Sequence, residues 1–550
     1  MSGVTLVGCG FVADLYMRSL ASFPQVQVLG AHDRDPARMA AFCAHWKIRE
    51  LPTMDVLFEV MPRDGVILNL TNPGQHHAVN RACLEAGFHV WSEKPLAVTM
   101  EQARDLHDLA AGRGLQLASA PCSVLGEAAQ TLAHAVRTGV AGAPRLVYAE
   151  LDDGYIPQAP LEAWISESGA PWPYVDEFRV GCTLEHAGYY LSWLIAMFGP
   201  VRTVVAASAG VIPDKRGVTD AAPDVSVATL FFHSGMVARL TCSIVAPHDH
   251  RIRVVGDDGV LEMAKAWDNA APLKYRRRLR IRRRLMEHPI GRRIRLKGPT
   301  HPMLGRRGAA SMNFALGPVE MLVAIAQGRP CRLGGDYALH LNEVTLAIQN
   351  AGDTVTEDSP LEDMPAGRDA YTRAKLAQED MARALASQTR AAVAILRIGA
   401  IWGPGRLWNG HLGVALGPLL IRMGSGGQIP LAHVETAAAM VLRAARVTLT
   451  GLRVANVLDA DLPGRATYVA ALRRGGWPRA VLPVGWPVMR ALSALGAMPG
   501  APGLLRAPVQ RARIMPLRYA NRVTWLGDLP APSFADAMRA ALAAEGKTHD

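Results

Sequence analysis

Two rhythms of apolar and polar positions follow one another along this chain. Through the first hundred or so residues, short continuous apolar runs alternate with stretches of helical period. Val4–Val7, Val26–Ala31, the run within residues 64–70 and Phe88–Trp91 read as strands, and Asp14–Ala21 and Ala78–Ala86 as helices between them. Strand–helix–strand succession with apolar strands predicts a parallel sheet covered by helices. From about residue 121 the strands become longer and alternate apolar with polar positions, as in Arg145–Leu151, Val201–Ala207, Ser226–Phe232 and Met236–Val245, and the turn Gly256–Gly259 joins two more. That period of two predicts strands buried on one face only. A last helix at Val344–Ala351 closes this region, and a third helical and strand-like segment follows. The expected division is therefore 1–120, 121–353 and 354–550.

Composition narrows the class. A chain of 550 residues, half of them hydrophobic and 19% charged, is expected to fold into two to four globular domains. No run of 18 uncharged apolar residues occurs, and the nearest approach, Val481–Leu505, is broken by Arg490 and four prolines. The start lacks the basic and apolar regions of a signal peptide. Seven cysteines, an odd number without a CxxC pair, read as free thiols in a reducing, cytoplasmic setting, and no metal site is expected. None follows Cys331. The net charge of +11 is local: residues 274–307 hold fourteen Lys/Arg and one acid, Glu287. This cluster reads either as a solvated strand face or as a contact for a phosphate-bearing substrate or an acidic membrane surface. The alternation Leu279, Ile281, Arg283, Leu285 favours a strand there. No nucleic-acid partner is expected.

The chemistry begins at Gly8-Cys9-Gly10-Phe11-Val12-Ala13, which joins the first strand to the first helix. This is the G-x-G-x-x-A turn in its required setting. Gly8 permits the turn, Gly10 lets a pyrophosphate approach the backbone, and Ala13 allows close helix–strand packing. The free N–H groups at the helix start attract phosphate. The second strand ends in Asp33, spaced to bind a ribose 2′-hydroxyl, which favours NAD; Arg34 beside it suits the 2′-phosphate of NADP. NAD or NADP is the expected cofactor.

Further on, the third strand ends at Thr71-Asn72-Pro73, with His77 on the next helix, and the fourth ends in Ser92-Glu93-Lys94-Pro95. The succession of glycine turn, strand-end acid, P-x-x-x-H and E-K-P resembles the glucose-fructose oxidoreductase / inositol dehydrogenase / MocA family over residues 4 to about 353. The resemblance implies a Rossmann domain followed by an α+β domain with an open, mostly antiparallel sheet that covers the nicotinamide. It also implies that Lys94 sits beside substrate and nicotinamide, with Asn72, Pro73, His77 and Glu93 at the cofactor. An ammonium there favours the alkoxide that forms when a secondary alcohol gives up hydride. Pro95 would fix the backbone, with a cis bond open to it. Members are often dimers or tetramers, so a homo-oligomer is expected.

The family's G-G-x-L-x-D-x-G-x-H-x-x-D segment corresponds here to residues 181–193, with His186, Tyr190 and Trp193 at the three catalytic-type positions. Two readings stay open. In one, Tyr190 is the acid/base, helped by the Lys94 cation and oriented by His186, with precedent in glucose-fructose oxidoreductase and its dihydrodiol dehydrogenase relatives. In the other, the domain binds dinucleotide without turnover. The loop Gly169–Tyr174 offers aromatics for stacking; Asn313 and Arg329 fall nearby without an assigned role.

In the last third, Tyr371-Thr372-Arg373-Ala374-Lys375 is followed by the β-run Val393–Leu396, then by residues 397–405 and His433–Ala437. That succession resembles the C-terminal part of extended short-chain dehydrogenase/reductases, the nucleotide-sugar epimerase and dehydratase group, over about 355–543. The glycine turn and catalytic Ser/Thr strand of that fold are missing, so Tyr371 and Lys375 read as remnants. The expectation for the whole chain is an NAD(P)-dependent oxidoreductase acting on a hydroxyl of a sugar, cyclitol or nucleotide-sugar.

Overall fold

A computed structural model describes residues 3–218, 221–297, 304, 311–351, 354–357, 359, 361, 369–389, 391–424, 426–485, 517–521, 523, 525–527 and 532–546. Arg306 and Arg307 of the basic cluster, and the apolar stretch beyond residue 485, lie outside the described residues. The chain forms two compact units, Met1–Gly352 and Asp353–Asp550.

The first unit opens with β1 (Gly3–Val7), α1 (Phe11–Leu20), β2 (Gln27–His32), α2 (Pro36–Trp46), α3 (Met54–Val60), β3 (Val66–Asn69), α4 (His76–Glu85), β4 (His89–Ser92), α5 (Met100–Gly112) and β5 (Leu117–Ser119). The strands form one parallel sheet in the order β2-β1-β3-β4-β5. Every residue of β1 and β3 is buried, as the continuous apolar runs require. The order reverses direction between β1 and β3, and a crevice opens at their carboxyl ends, where such sheets take ligands.

The chain then runs through α6 (Glu127–Arg137), β6 (Pro144–Asp152), α7 (Tyr174–Val180), α8 (Cys182–Phe198), β7 (Val201–Ala209), β8 (Val225–Phe232), β9 (Val237–Ser243), β10 (Ile252–Gly256), β11 (Gly259–Met263), β12 (Leu273–Ile281), β13 (Arg284–Glu287) and β14 (Arg292–Ile294). The second sheet has the order β13-β12-β11-β10-β6-β9-β8-β7, with β14 added on β12. Its pairs are antiparallel except β6–β9. The basic segment is the β12–β13 hairpin, and Arg283 belongs to its turn, not to a strand.

Two last helices tie the parts together. α9 (Leu316–Ala326) returns to pack across β3 and β4, so a segment beyond residue 310 covers the Rossmann sheet. A Cβ on Gly317 would lie 2.0 Å from the Trp91 ring, which explains the glycine. α10 (Asp336–Gln349) lies against α8, α5 and β7.

The second unit builds its sheets in short pieces. Val393–Ile398 pairs in parallel with Leu452–Val457, Ala400–Trp402 with Leu431–His433, and three further strands form a separate small sheet. Its main core gathers Trp402, Leu420, Leu431, Tyr468, Phe534 and Met538.

Candidate active site

The glycine turn is shaped by close approach. Gly8 has φ +99°, and a Cβ there would meet the Leu70 carbonyl at 2.8 Å. A side chain would force β1 and β3 apart. Gly10 is the N-cap of α1, and its Cβ position meets nothing within 4 Å. The helix start therefore faces open space beside Gly10, a cradle that fits a pyrophosphate. Phe11 and Val12 are half-buried and Ala13 is fully buried. Asp33 is buried at the end of β2, where one carboxylate oxygen accepts the Cys9 N–H at 2.8 Å and the other the Asp35 N–H at 2.8 Å. These bonds fix the acid at the rim of the turn. Arg34 is exposed beside it. The residues present therefore fit a dinucleotide.

The loops after β3 and β4 form the rest of the crevice. Asn72 is exposed and donates to Asp176, and Pro73 starts a short 3-10 turn. His77 points elsewhere, toward Asp105 at 2.8 Å on α5. The histidine that serves these loops is its neighbour His76, fully buried between the Thr71 and Pro95 carbonyls at 2.8 and 2.7 Å. Burial holds its pKa below the usual imidazole value. Glu93 is also buried: its carboxylate accepts Tyr16 Oη–H at 2.7 Å and the Lys94 N–H at 3.0 Å. Trp91 Nε1–H extends the chain to Tyr16 at 2.9 Å. Glu93 thus anchors the loop that carries Lys94, and burial raises its pKa. The Lys94–Pro95 bond is cis.

Beside this loop lies a cavity of about 1100 Å³, lined among others by Phe11, Lys94, Trp172, Glu177, Glu185 and Tyr189. Lys94 Nζ pairs with the Glu185 carboxylate, whose side chain is 4% exposed. Burial alone would discharge Lys94, but the Glu185 and Glu177 carboxyls outweigh it and keep the ammonium well above its ordinary pKa. Burial likewise opposes ionisation of Glu185, and the Lys94 charge reverses this and holds it below the ordinary range. Glu177 is pushed well above that range by burial and by the charge on Glu185.

The site corrects the expected register of the 181–193 segment. Tyr190 does not line the cavity. It is buried in the core with its ring near Trp193, and its hydroxyl has no partner. Burial drives its pKa far up. Tyr189 takes the wall position instead, four residues after Glu185 and on the same face of α8. The Lys94 charge lowers the Tyr189 pKa against the larger upward effect of burial. Gly188 of this segment packs against Pro121, where a Cβ would meet the ring at 3.1 Å. Trp193 donates to Ser123 at 3.1 Å and is part of the core. His186 does line the cavity, 3.5 Å from Asp153.

Sequence reading missed Glu177, Glu185, Tyr189, Asp153, His248, His250 and Trp267. Of these, only the Glu185/Tyr189 pair at helical spacing carried a legible signal. Trp172 of the 169–174 loop reaches the wall with its ring 5.0 Å from Trp164. Asn313 is buried and accepts the Ala315 N–H, and Arg329 pairs with Glu320; neither lines the cavity.

Residues 2–120 match the oxidoreductase family with an NAD-binding Rossmann fold, and residues 129–262 match the GFO/IDH/MocA C-terminal domain. Residues 2–262 thus match both domains of the Gfo/Idh/MocA family, over a little under half of the chain. The family is one of oxidoreductases, and its first domain binds NAD. Mouse trans-1,2-dihydrobenzene-1,2-diol dehydrogenase is 27% identical over 269 residues, covering 48% of this chain and 74% of its own. The dTDP-3,4-didehydro-2,6-dideoxy-alpha-D-glucose 3-reductase of Streptomyces antibioticus is 26% identical over 276 residues, covering 49% and 78%. An oxidoreductase of Desulfitobacterium hafniense described as NADPH-dependent has the same fold, with TM-score 0.51 at 17% identity over 64% of this chain and 95% of its own. No helix among the described residues is long and apolar enough to cross a membrane.

Proposed function

We propose that the first unit transfers hydride between NAD(H) and a secondary hydroxyl of a sugar, cyclitol or nucleotide-linked sugar. The observation that carries this reading is the charged Lys94–Glu185 pair beside Tyr189 in a cavity that also touches the glycine turn at Phe11. The bound dinucleotide supplies the hydride acceptor or donor. Gly10 and the start of α1 hold its pyrophosphate and Asp33 its ribose, while Arg34 leaves NADP open as the alternative.

The ammonium of Lys94, fixed by Glu185, stabilises negative charge on the reacting oxygen, and the Tyr189 hydroxyl carries the proton to or from that oxygen. Glu177 completes the polar end. The walls also carry Trp164, Trp172, Tyr155 and Trp267, apolar faces suited to a sugar ring or a base. The cavity volume lies at the upper end for small-ligand sites, enough for nicotinamide and substrate together. Turnover of nucleotide-linked sugars well above the free sugars would support the nucleotide-linked class, and equal rates would remove it.

Titration with NADH and NADPH, followed by fluorescence in wild type and Gly10→Trp, tests the cofactor site. Binding of one cofactor that the variant loses supports the reading. Absence of binding to both refutes it and leaves a non-catalytic scaffold.

The finer features are proposals on the same footing. The second unit is read as a remnant of an extended short-chain dehydrogenase: Tyr371 is 73% exposed on a helix with no buried residue, and Lys375 lies over its ring. The apolar positions Val205 and Val227, exposed on the second sheet, favour a homo-oligomer. The arginine-rich β12–β13 hairpin exposes Ile281, Leu285 and Met286 and suits an acidic surface. Seven free, buried cysteines are those of a cytoplasmic protein. Light scattering and vesicle sedimentation test the oligomer and the surface contact.

A further inference from the structure

The cavity wall away from Lys94 carries a cluster that the hydride chemistry does not use. His248 and His250 are two residues apart on an extended segment and so share a face. The intervening Asp249 pairs with Asp152, which brings both histidines to Asp153. One ligand atom from each of Asp153, His248 and His250 lies within 4.8 Å of the others. Both Nε2 atoms converge on Asp153 Oδ1, from 3.8 Å for His248 and 3.5 Å for His250.

These separations are too long for good direct hydrogen bonds. They are close to the ~3.3 Å between two ligand atoms of one tetrahedral ion with bonds of about 2.0 Å. His250 is 2% exposed, and its Nε2 has no hydrogen-bond partner. A buried imidazole nitrogen left bare toward a carboxylate oxygen and a second imidazole is a costly arrangement unless something fills the gap. The ring of His250 is held edge-on by Trp267 at 4.4 Å. His186 Nε2 stands 3.5 Å from the other Asp153 oxygen, placed to orient it. Lys265, also on the wall, is a cation that works against a metal.

We propose that Asp153, His248 and His250 bind one divalent transition-metal ion of the zinc class, with an open coordination position toward the cavity. Two imidazoles and a carboxylate suit that ion, and three protein ligands leave a fourth position free. An oxygen of the substrate is the natural fourth ligand. His186 is a positioning residue for Asp153. This site runs against the expectation of no metal drawn from residue spacing. It does not depend on the hydride-transfer reading, because metal binding and NADH binding are measured separately.

The test is titration of the metal-stripped full chain with Co²⁺, read by visible absorption, with Zn²⁺ as competitor. One equivalent of Co²⁺ with a tetrahedral spectrum, displaced by Zn²⁺, is expected in wild type. His248→Ala, at a half-exposed position, is expected to lose that spectrum, and His250→Ala and Asp153→Asn likewise. His186→Ala is expected to weaken binding about tenfold. Retained NADH binding in His248→Ala shows that the fold survives. No stoichiometric Co²⁺ binding in wild type, or the same affinity in His248→Ala and Asp153→Asn, overturns the proposal.

Discussion

Tyr189 and Tyr190 are adjacent, and the structure gives them opposite roles, so their phenylalanine variants separate sharply. Tyr189 lines the cavity with Lys94; burial raises its pKa, and the Lys94 charge offsets part of that rise. Removing an acid/base group of this kind costs about 10²–10⁴ in rate, or roughly 3–5 kcal/mol of transition-state stabilisation. Tyr189→Phe keeps the ring that stacks edge-on against Trp267 at 5.2 Å, so packing should survive. Tyr190 is 2% exposed and its hydroxyl has no partner. Tyr190→Phe removes a desolvated polar atom that costs about 1–3 kcal/mol to bury unpaired. The expected outcome is a kcat loss of at least about 100-fold for Tyr189→Phe with unchanged NADH affinity. Tyr190→Phe should turn over at the wild-type rate and unfold at a higher urea midpoint. The assay is NADH formation or consumption on a polyol and nucleotide-sugar panel, beside urea unfolding of each variant. Loss of turnover in Tyr190→Phe with full activity in Tyr189→Phe would refute the assignment and restore Tyr190 as the acid/base of the 181–193 segment.

Other outcomes follow from the same geometry. Lys94→Ala should abolish turnover while NADH still binds, and because it strands the buried Glu185 charge, folding of the variant should be accompanied by proton uptake, measurable in weakly buffered solution. Lys215 forms an ion pair with fully buried Asp224 at 3.1 Å; Lys215→Met leaves that carboxylate without its counter-charge, held by the Val211 and Ile212 N–H groups, and should cost up to about 3–5 kcal/mol by urea unfolding. His76 is buried with its pKa held below the unfolded value, so the unfolded chain binds the extra proton as pH falls past about 6.5, and stability should drop by up to ~1.4 kcal/mol per pH unit from this group. That part of the slope should vanish in His76→Gln, compared by urea midpoints between pH 7 and 5. Burial pushes the thiols of Cys83, Cys122 and Cys182 up to about 12, so an aromatic disulfide reagent should find them inert in the native protein and reactive only after unfolding.

The sequence by itself determined the features that local chain geometry enforces. Gly8 is needed for its positive φ and its close approach to Leu70, Gly10 leaves the start of α1 open and Ala13 is fully buried, so their spacing between a strand and a helix announced the cofactor crevice. The apolar runs set the parallel sheet, the alternating strands set the second sheet, and the E-K-P loop fixed Lys94. Tertiary structure decided which residues meet that lysine. Along α8 a shift of one residue turns the side chain by about 100°. Packing of α8 against Pro121 therefore aimed Glu185 and Tyr189 at Lys94 and turned Tyr190 into the core. His76 replaced His77 at the loops for the same reason, since only one face of α4 meets β3. Asp153, His248 and His250 carried no signal at all. Nearly a hundred residues separate the first from the others, and the pairing of β6 with β9 and β10, continued by the Asp152–Asp249 bridge, closes that distance.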